Sequence, residues 1–208
     1  MLARVCWVLA GWEHAFRTGR MPEQLAAIHA HPGYTVDDLR AAAPEPAVAE
    51  LVNLARVLHT SRTLAGWRGD APGCPIATGP LGIANPIILP GWAEADLLLG
   101  STLWEVTTVT SLDNPAVLVR ALWRLLACAW LDTRDVYGIR AVGIYLARHG
   151  VTMSWGLTAF CSMVFGGTGR DDAAREAFLP LARRLARADG AEPPPPWVPR
   201  ERILYGSH

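Results

Sequence analysis

The sequence predicts a mixed α/β fold, one sheet with flanking helices, preceded by a helical segment. Three observations lead there. Residues 3–65 carry helical periodicity and little strand character. Two strand pairs follow, near 95–109 and 141–155. A strongly apolar helix over 115–131 separates those pairs and is long enough to act as a crossover.

The elements follow in order. Residues 3–17 place Val5, Val8, Leu9, Trp12 and Phe16 on one helical stripe, and Gly19 is the stop. "MPEQLAAIHAHPG" makes a short second helix that ends at His31-Pro32-Gly33. Thr35 is positioned to cap the helix of "TVDDLRAAA", because its hydroxyl can accept an amide hydrogen bond. A longer helix is expected over 47–65. At Gly66 the composition turns rich in Gly and Pro, so the stretch to about residue 94 reads as loops and short strands.

Strands are expected at 95–99 and 102–109. The helix at 115–131 carries Leu118, Ala121, Leu122, Leu125, Leu126 and Ala129 on its apolar face. Residues 141–147 and 151–155 are the arms of a hairpin that reverses at His149-Gly150. Helices at 157–165 and 171–188 follow. The tail "GAEPPPPWVPRERILYGSH" holds four consecutive prolines, which exclude a regular helix or a central strand. The expected organisation is a single domain over 1–190, with a helical part at 1–65, a core at 76–157, and a Pro-rich tail at 191–208.

With 208 residues, 51% of them hydrophobic, the chain can bury one good-sized core. Net charge is zero, so the total does not indicate a strongly basic nucleic-acid binder, and any such surface has to be local. Every one of the 19 basic residues is Arg. Without Lys, neither a Schiff base nor a P-loop lysine can exist in this chain. Cys6, Cys74, Cys128 and Cys161 are scattered, with no paired spacing, and read as buried thiols of a reducing cytoplasm. Neither a signal peptide nor a membrane span is expected. Trp7, Trp12, Trp123 and Trp130 fall on apolar helix faces and are expected in the core, while Trp92 and Trp197 are the surface candidates.

The chemistry concentrates in "ADLLLGSTLWEVTT", residues 95–108. Asp96 opens one strand and Glu105 sits inside the next, nine residues later across a tight turn. Residues opposite one another on antiparallel strands are neighbours on one face. Two carboxylates so placed cannot both be buried as bare charges without a counter-cation. Mg²⁺, which needs few protein carboxylates and keeps several waters, suits such a pair. The Val106 carbonyl is an additional ligand candidate.

These residues, the helix "LVRALWRLLACAWLD" and the hairpin "YGIRAVGIYLARHGVTMSW" together resemble the PD-(D/E)XK nuclease superfamily. The resemblance covers residues 76–157 and implies a restriction-endonuclease-like core, a mixed sheet with flanking helices. It makes Asp96 the strand-opening Asp and Glu105 the second acid. It adds Glu13 on the first helix as a further acid near the metal. The Lys of the family motif is replaced by Thr107. The helix signature Gln-xxx-Tyr is replaced by Arg124 and Cys128.

The implied site is therefore Asp96, Glu105, Thr107 and Arg124 for catalysis, and Asp96, Glu105, Val106 and Glu13 for Mg²⁺. Arg124 can stabilise a phosphate but cannot readily act as a base. Arg148 at the hairpin turn and Arg183, Arg184 and Arg187 on the last helix are the candidates for nucleic-acid backbone contact. Three functions stay open. One is a nuclease-fold protein with a degraded site that binds nucleic acid or a protein partner without efficient cleavage. Another is an active Mg²⁺-dependent nuclease with an atypical site. The third is a protein-interaction subunit, or a homo-oligomer, using the Pro-rich tail.

Overall fold

The computed structural model describes residues 1–70, 82–111, 113, 115–167 and 169–191. Cys74, Trp197 and the Pro-rich tail beyond Ala191 lie outside the described residues. The chain forms two compact units, Met1–Thr60 and a second that starts at Ser61.

The first unit is four helices: α1 (Leu2–Thr18), α2 (Glu23–His29), α3 (Val36–Ala41) and α4 (Glu45–Thr60). Gly19 ends α1 in the left-handed region, φ 70°, and donates its N–H to the Ala15 carbonyl. Thr35 caps α3 reciprocally. Its hydroxyl accepts from the Asp38 amide, and the Asp38 carboxylate accepts from the Thr35 amide. Arg4 on α1 reaches the carbonyls of Arg40 and Ala43 and the carboxylate of Glu45, which ties α1 to the α3–α4 junction.

The helix expected over 47–65 is two helices. It breaks after Thr60, where Arg62 takes φ 59°, and resumes as α5 (Thr63–Asp70). Gly66 and Gly69 weaken α5 as an isolated helix. Burial decides instead. The Trp67 ring, 7% exposed, packs with its centroid 5.3 Å from that of Trp104 and 5.2 Å from that of Tyr145.

The second unit is built on a mixed five-stranded sheet in the order β1 (Ile83–Ala84), β4 (Leu97–Leu99), β5 (Thr102–Thr107), β6 (Ala141–Leu146), β7 (Val151–Gly156). A separate two-stranded ribbon pairs β2 (Ile87–Leu89) with β3 (Ala93–Glu94). β4–β5 and β6–β7 are antiparallel, and β5–β6 is parallel. The parallel step needs a crossover, which α6 (Pro115–Leu131) supplies. α7 (Leu157–Phe165) and α8 (Arg170–Ala188) complete the unit. The strands expected at 95–99 and 102–109 are shorter than the sequence pattern, because ladder pairing stops at Leu97 and Thr107.

The core lies on the face of the sheet that carries Leu98, Leu103, Val142, Ile144 and Leu146, packed with Leu125 and Leu126 of α6 and Phe160 of α7. Two expectations about burial fail. Trp123 is 49% exposed because the buried side of α6 runs through Ala121, Leu125 and Ala129. Cys6 is exposed on α1, while Cys128 and Cys161 are buried. Trp92 is half-buried and donates its indole N–H to Asp189 Oδ2 at 2.9 Å.

The opposite face of the sheet is held by the Trp67, Trp104 and Tyr145 rings. Trp104 stands across from Gly143 in the parallel ladder. A Cβ on Gly143 would lie 2.7 Å from two Trp104 ring carbons and 3.0 Å from the Met153 carbonyl oxygen. Gly143→Ala is expected to cost about 1–3 kcal/mol of stability through this overpacking. Urea unfolding checks it, and an unchanged midpoint would show that the ring and strand yield freely.

Candidate functional site

Side chains alternate along a strand, so Leu103, Glu105 and Thr107 share the α6-facing side of β5. Continuing the Leu97–Trp104 register by one step sets Asp96 opposite Glu105. The two carboxyls therefore converge on one face. The cation between them is Arg124 of α6. Its Nη1 donates to Glu105 Oε1 at 2.6 Å and its Nη2 to Asp96 Oδ1 at 3.1 Å. Nη2 also donates to the Glu94 carbonyl oxygen at 3.2 Å. One planar guanidinium thus collects oxygens from β3, β5 and the segment leading into β4. Its fixed fork of donors suits such an arrangement.

The second Asp96 oxygen is also committed, accepting the Val106 backbone N–H at 2.8 Å. What Val106 brings to the site is therefore an amide donor. Cys128, one helical turn after Arg124, directs its Sγ to the Glu94 carbonyl at 3.9 Å. Burial pushes the Cys128 thiol up to about 11, so it stays protonated and unreactive.

Exposure grades across the cluster. The side chains of Arg124, Asp96 and Glu105 are 45%, 28% and 12% exposed. Burial first, and then the charge of Asp96, pushes the Glu105 carboxyl up to about 7, with Arg124 pulling it back. Burial also works against the charge on Arg124, but Glu105 and Asp96 outweigh it and keep the guanidinium ionised.

The bonds of this donor set decide whether a divalent ion fits. Both Asp96 oxygens and Glu105 Oε1 accept hydrogen bonds, and the Glu94 carbonyl also accepts from Arg124. Among the described residues no group of three or more His, Cys, Asp or Glu side chains is arranged to hold a metal. As placed, these oxygens fit a guanidinium and not a hydrated Mg²⁺.

The other sequence candidates have partners or places of their own. Thr107, at the end of β5, is half-buried on the Glu105 side and brings a hydroxyl without charge. Glu13, in the first unit, pairs with Arg17 one turn along α1 at 2.7 Å. Arg148 donates from Nε to the Thr108 carbonyl at 2.7 Å, beyond the end of β5. Arg183, Arg184 and Arg187 lie in the last turns of α8. The Glu94 carbonyl is the member that the sequence did not disclose, because a main-chain acceptor carries no residue-type signal.

No protein-family model, no curated protein and no solved structure matches the chain. The site is thus interpreted from its own geometry. No helix among the described residues is long and apolar enough to cross a membrane.

Two outcomes follow from the cluster. The folded state holds the Glu105 proton more tightly than the unfolded chain does, so between about pH 4.5 and about pH 7 it binds more protons. Stability contributed by Glu105 is therefore present below that window and lost as pH rises through it. Relative to Glu105→Gln, the parent chain is expected to lose roughly 1–3 kcal/mol between those limits. Urea midpoints at both ends of the window read this, and parallel curves for the two proteins would refute it. Arg124→Ala is expected to cost about 1–3 kcal/mol near neutral pH, less than for a fully buried pair because the guanidinium is half exposed. The same unfolding measurement checks it.

Proposed function

We propose that this chain is a restriction-endonuclease-like domain that works by binding and does not cut. The fold reading is supported by the order of parts: an Asp entering β4, a Glu within β5, a crossover helix, and then a parallel strand that opens a hairpin. The functional reading rests on one observation, the Arg124 guanidinium held between Asp96 and Glu105.

The chemistry argues the rest. Hydrolysis of a phosphodiester needs an activated water and a positive charge that offsets the charge building on the phosphate. Here the two carboxylates that would manage a cation and a water are spent on an internal Arg. That Arg stays protonated and cannot accept a proton from water. Thr107 offers no charge. Loss of one preorganised electrostatic group costs on the order of 10²–10³ in rate, and this site lacks more than one. Recognition is what remains. For nucleic acid, Arg148 and the arginines of α8 are the natural backbone contacts. For a protein partner, the half-exposed Trp123, with exposed Val119 one turn before it on α6, is the natural anchor.

The test is a cleavage assay on single- and double-stranded DNA with Mg²⁺ or Mn²⁺. The parent chain is expected to cut no faster than Asp96→Ala or Glu105→Ala, and its melting temperature to be the same in Mg²⁺ and in chelator. Robust cutting that both substitutions abolish would overturn the reading. DNA binding measured by anisotropy separates the two ligands. Affinity that falls steeply with salt and with Arg184→Gln favours nucleic acid. Undetectable DNA binding leaves the Trp123 surface as the binding face.

A further inference from the structure

α6 ends at Leu131, and the turn that follows is closely held. The Asp135 amide donates to the Asp132 carbonyl at 3.0 Å, and Asp135 takes φ 54°. The Asp132 carboxylate accepts the Val136 and Tyr137 amides at 2.8 and 3.0 Å. The Tyr137 hydroxyl donates to the Ile87 carbonyl at 2.8 Å, which fastens the turn to β2. Between this turn and the β2 segment lies a cavity of about 290 Å³. That is near the lower limit for small-molecule sites, so it admits a compact ligand. Ile88 and Leu131 line it as buried residues, while Ile87 and Val136, also lining it, are 51% and 70% exposed.

Two polar side chains of this lining are uncommitted. Thr133 is 4% exposed, and its hydroxyl is buried without a hydrogen-bond partner. Native structures pair nearly all such groups, so this one calls for a partner. Arg134 is exposed, and among the described residues it forms no hydrogen bond or ion pair. Asp132 also lines the cavity, but both of its oxygens accept amides of the turn, and its charge acts on Arg140 as well. The charge left unanswered in the lining is therefore one cation. A single cation beside apolar walls suits a monoanion. A dianionic phosphate would exceed it and would meet the Asp132 carboxylate besides.

We propose that this cavity binds a small monocarboxylate with a short hydrocarbon body. The carboxylate pairs with the Arg134 guanidinium, whose planar fork of donors matches two oxygens. It also accepts the Thr133 hydroxyl in a charge-assisted hydrogen bond. Rotation about the Thr133 Cα–Cβ bond moves its hydroxyl between staggered positions, so it can turn to an acceptor that enters. The hydrocarbon covers Ile87, Pro90 and Val136 and takes them out of water. Turn and β2 are already joined through Tyr137, so binding orders little of the chain. A ligand this small gains modest affinity, a dissociation constant of roughly 0.3–3 mM. The site uses neither Asp96, Glu105 nor Arg124, so it stands or falls apart from the nuclease reading.

The experiment is titration of the full chain with hexanoate at neutral pH, followed by amide NMR shifts. Saturable shifts of the Val136 and Tyr137 amides are expected. Hexanamide and hexylamine keep the hydrocarbon and remove the negative charge, and each is expected to bind at least roughly fivefold more weakly. Arg134→Gln is expected to weaken hexanoate by a similar factor and to leave hexanamide nearly unchanged. Thr133→Val keeps the shape and removes the hydroxyl. It is expected to weaken hexanoate without lowering the melting temperature, because the hydroxyl it removes is unpaired in the folded chain. That pair of readouts separates a ligand contact from a structural role, which would lower the melting temperature. Hexanoate that shifts neither amide at up to about ten times that dissociation constant overturns the inference. So does hexanamide or hexylamine binding as tightly as hexanoate, or unchanged hexanoate affinity in Arg134→Gln or Thr133→Val.

Discussion

The contact on which the second unit's site depends is the fork of Arg124. The β4–β5 hairpin is apolar, and its register brings two carboxylates together on the side that packs against α6. Such a pair has few physical solutions: protonation, a metal, or a fixed cation. The chain uses the third and leans partly on the first, since Glu105 sits near the middle of its titration at neutral pH. The guanidinium also satisfies a main-chain carbonyl of β3. The ribbon, the hairpin and the crossover helix thus meet at one side chain.

An Arg in this place differs from an ion in kind. A hydrated divalent ion exchanges, carries water and can lower that water's pKa. A guanidinium tethered to a helix does none of these. It supplies charge and directional hydrogen bonds, and its position is set by the packing of α6 through Ala121, Leu125 and Ala129. The same constellation of acids can therefore serve architecture where a looser cation would serve chemistry.

Much of this architecture is legible in the sequence. The crossover helix, the hairpin at 141–156 and α7 follow from periodicity and turn residues, because their apolar patterns are long and their breakers clear. The convergence of Asp96 and Glu105 is readable from their nine-position spacing together with the turn-like Gly100-Ser101 between them, which favours the antiparallel register that sets them opposite one another. What was not legible depends on distant partners. The break at Ser61–Arg62 and the survival of α5 through Gly66 and Gly69 come from Trp67 finding Trp104 and Tyr145, some 37 and 78 positions away. The exposure of Trp123 was hidden for a related reason: an apolar residue on a helix shows hydrophobicity but not which neighbours arrive to cover it. The Glu94 carbonyl was invisible because every residue has one.

The Arg124 bridge has a topological meaning as well. Its contacts to Glu105, Asp96 and Glu94 span 19, 28 and 30 residues of chain. One side chain thereby closes three nested loops, and the entropy of closing the second and third is small once the first is closed. The bridge behaves as a non-covalent staple, comparable in role to a disulfide but with a different release condition. A disulfide opens to reductant. This staple is untouched by reductant and gives way when the α6 packing that positions Arg124 loosens.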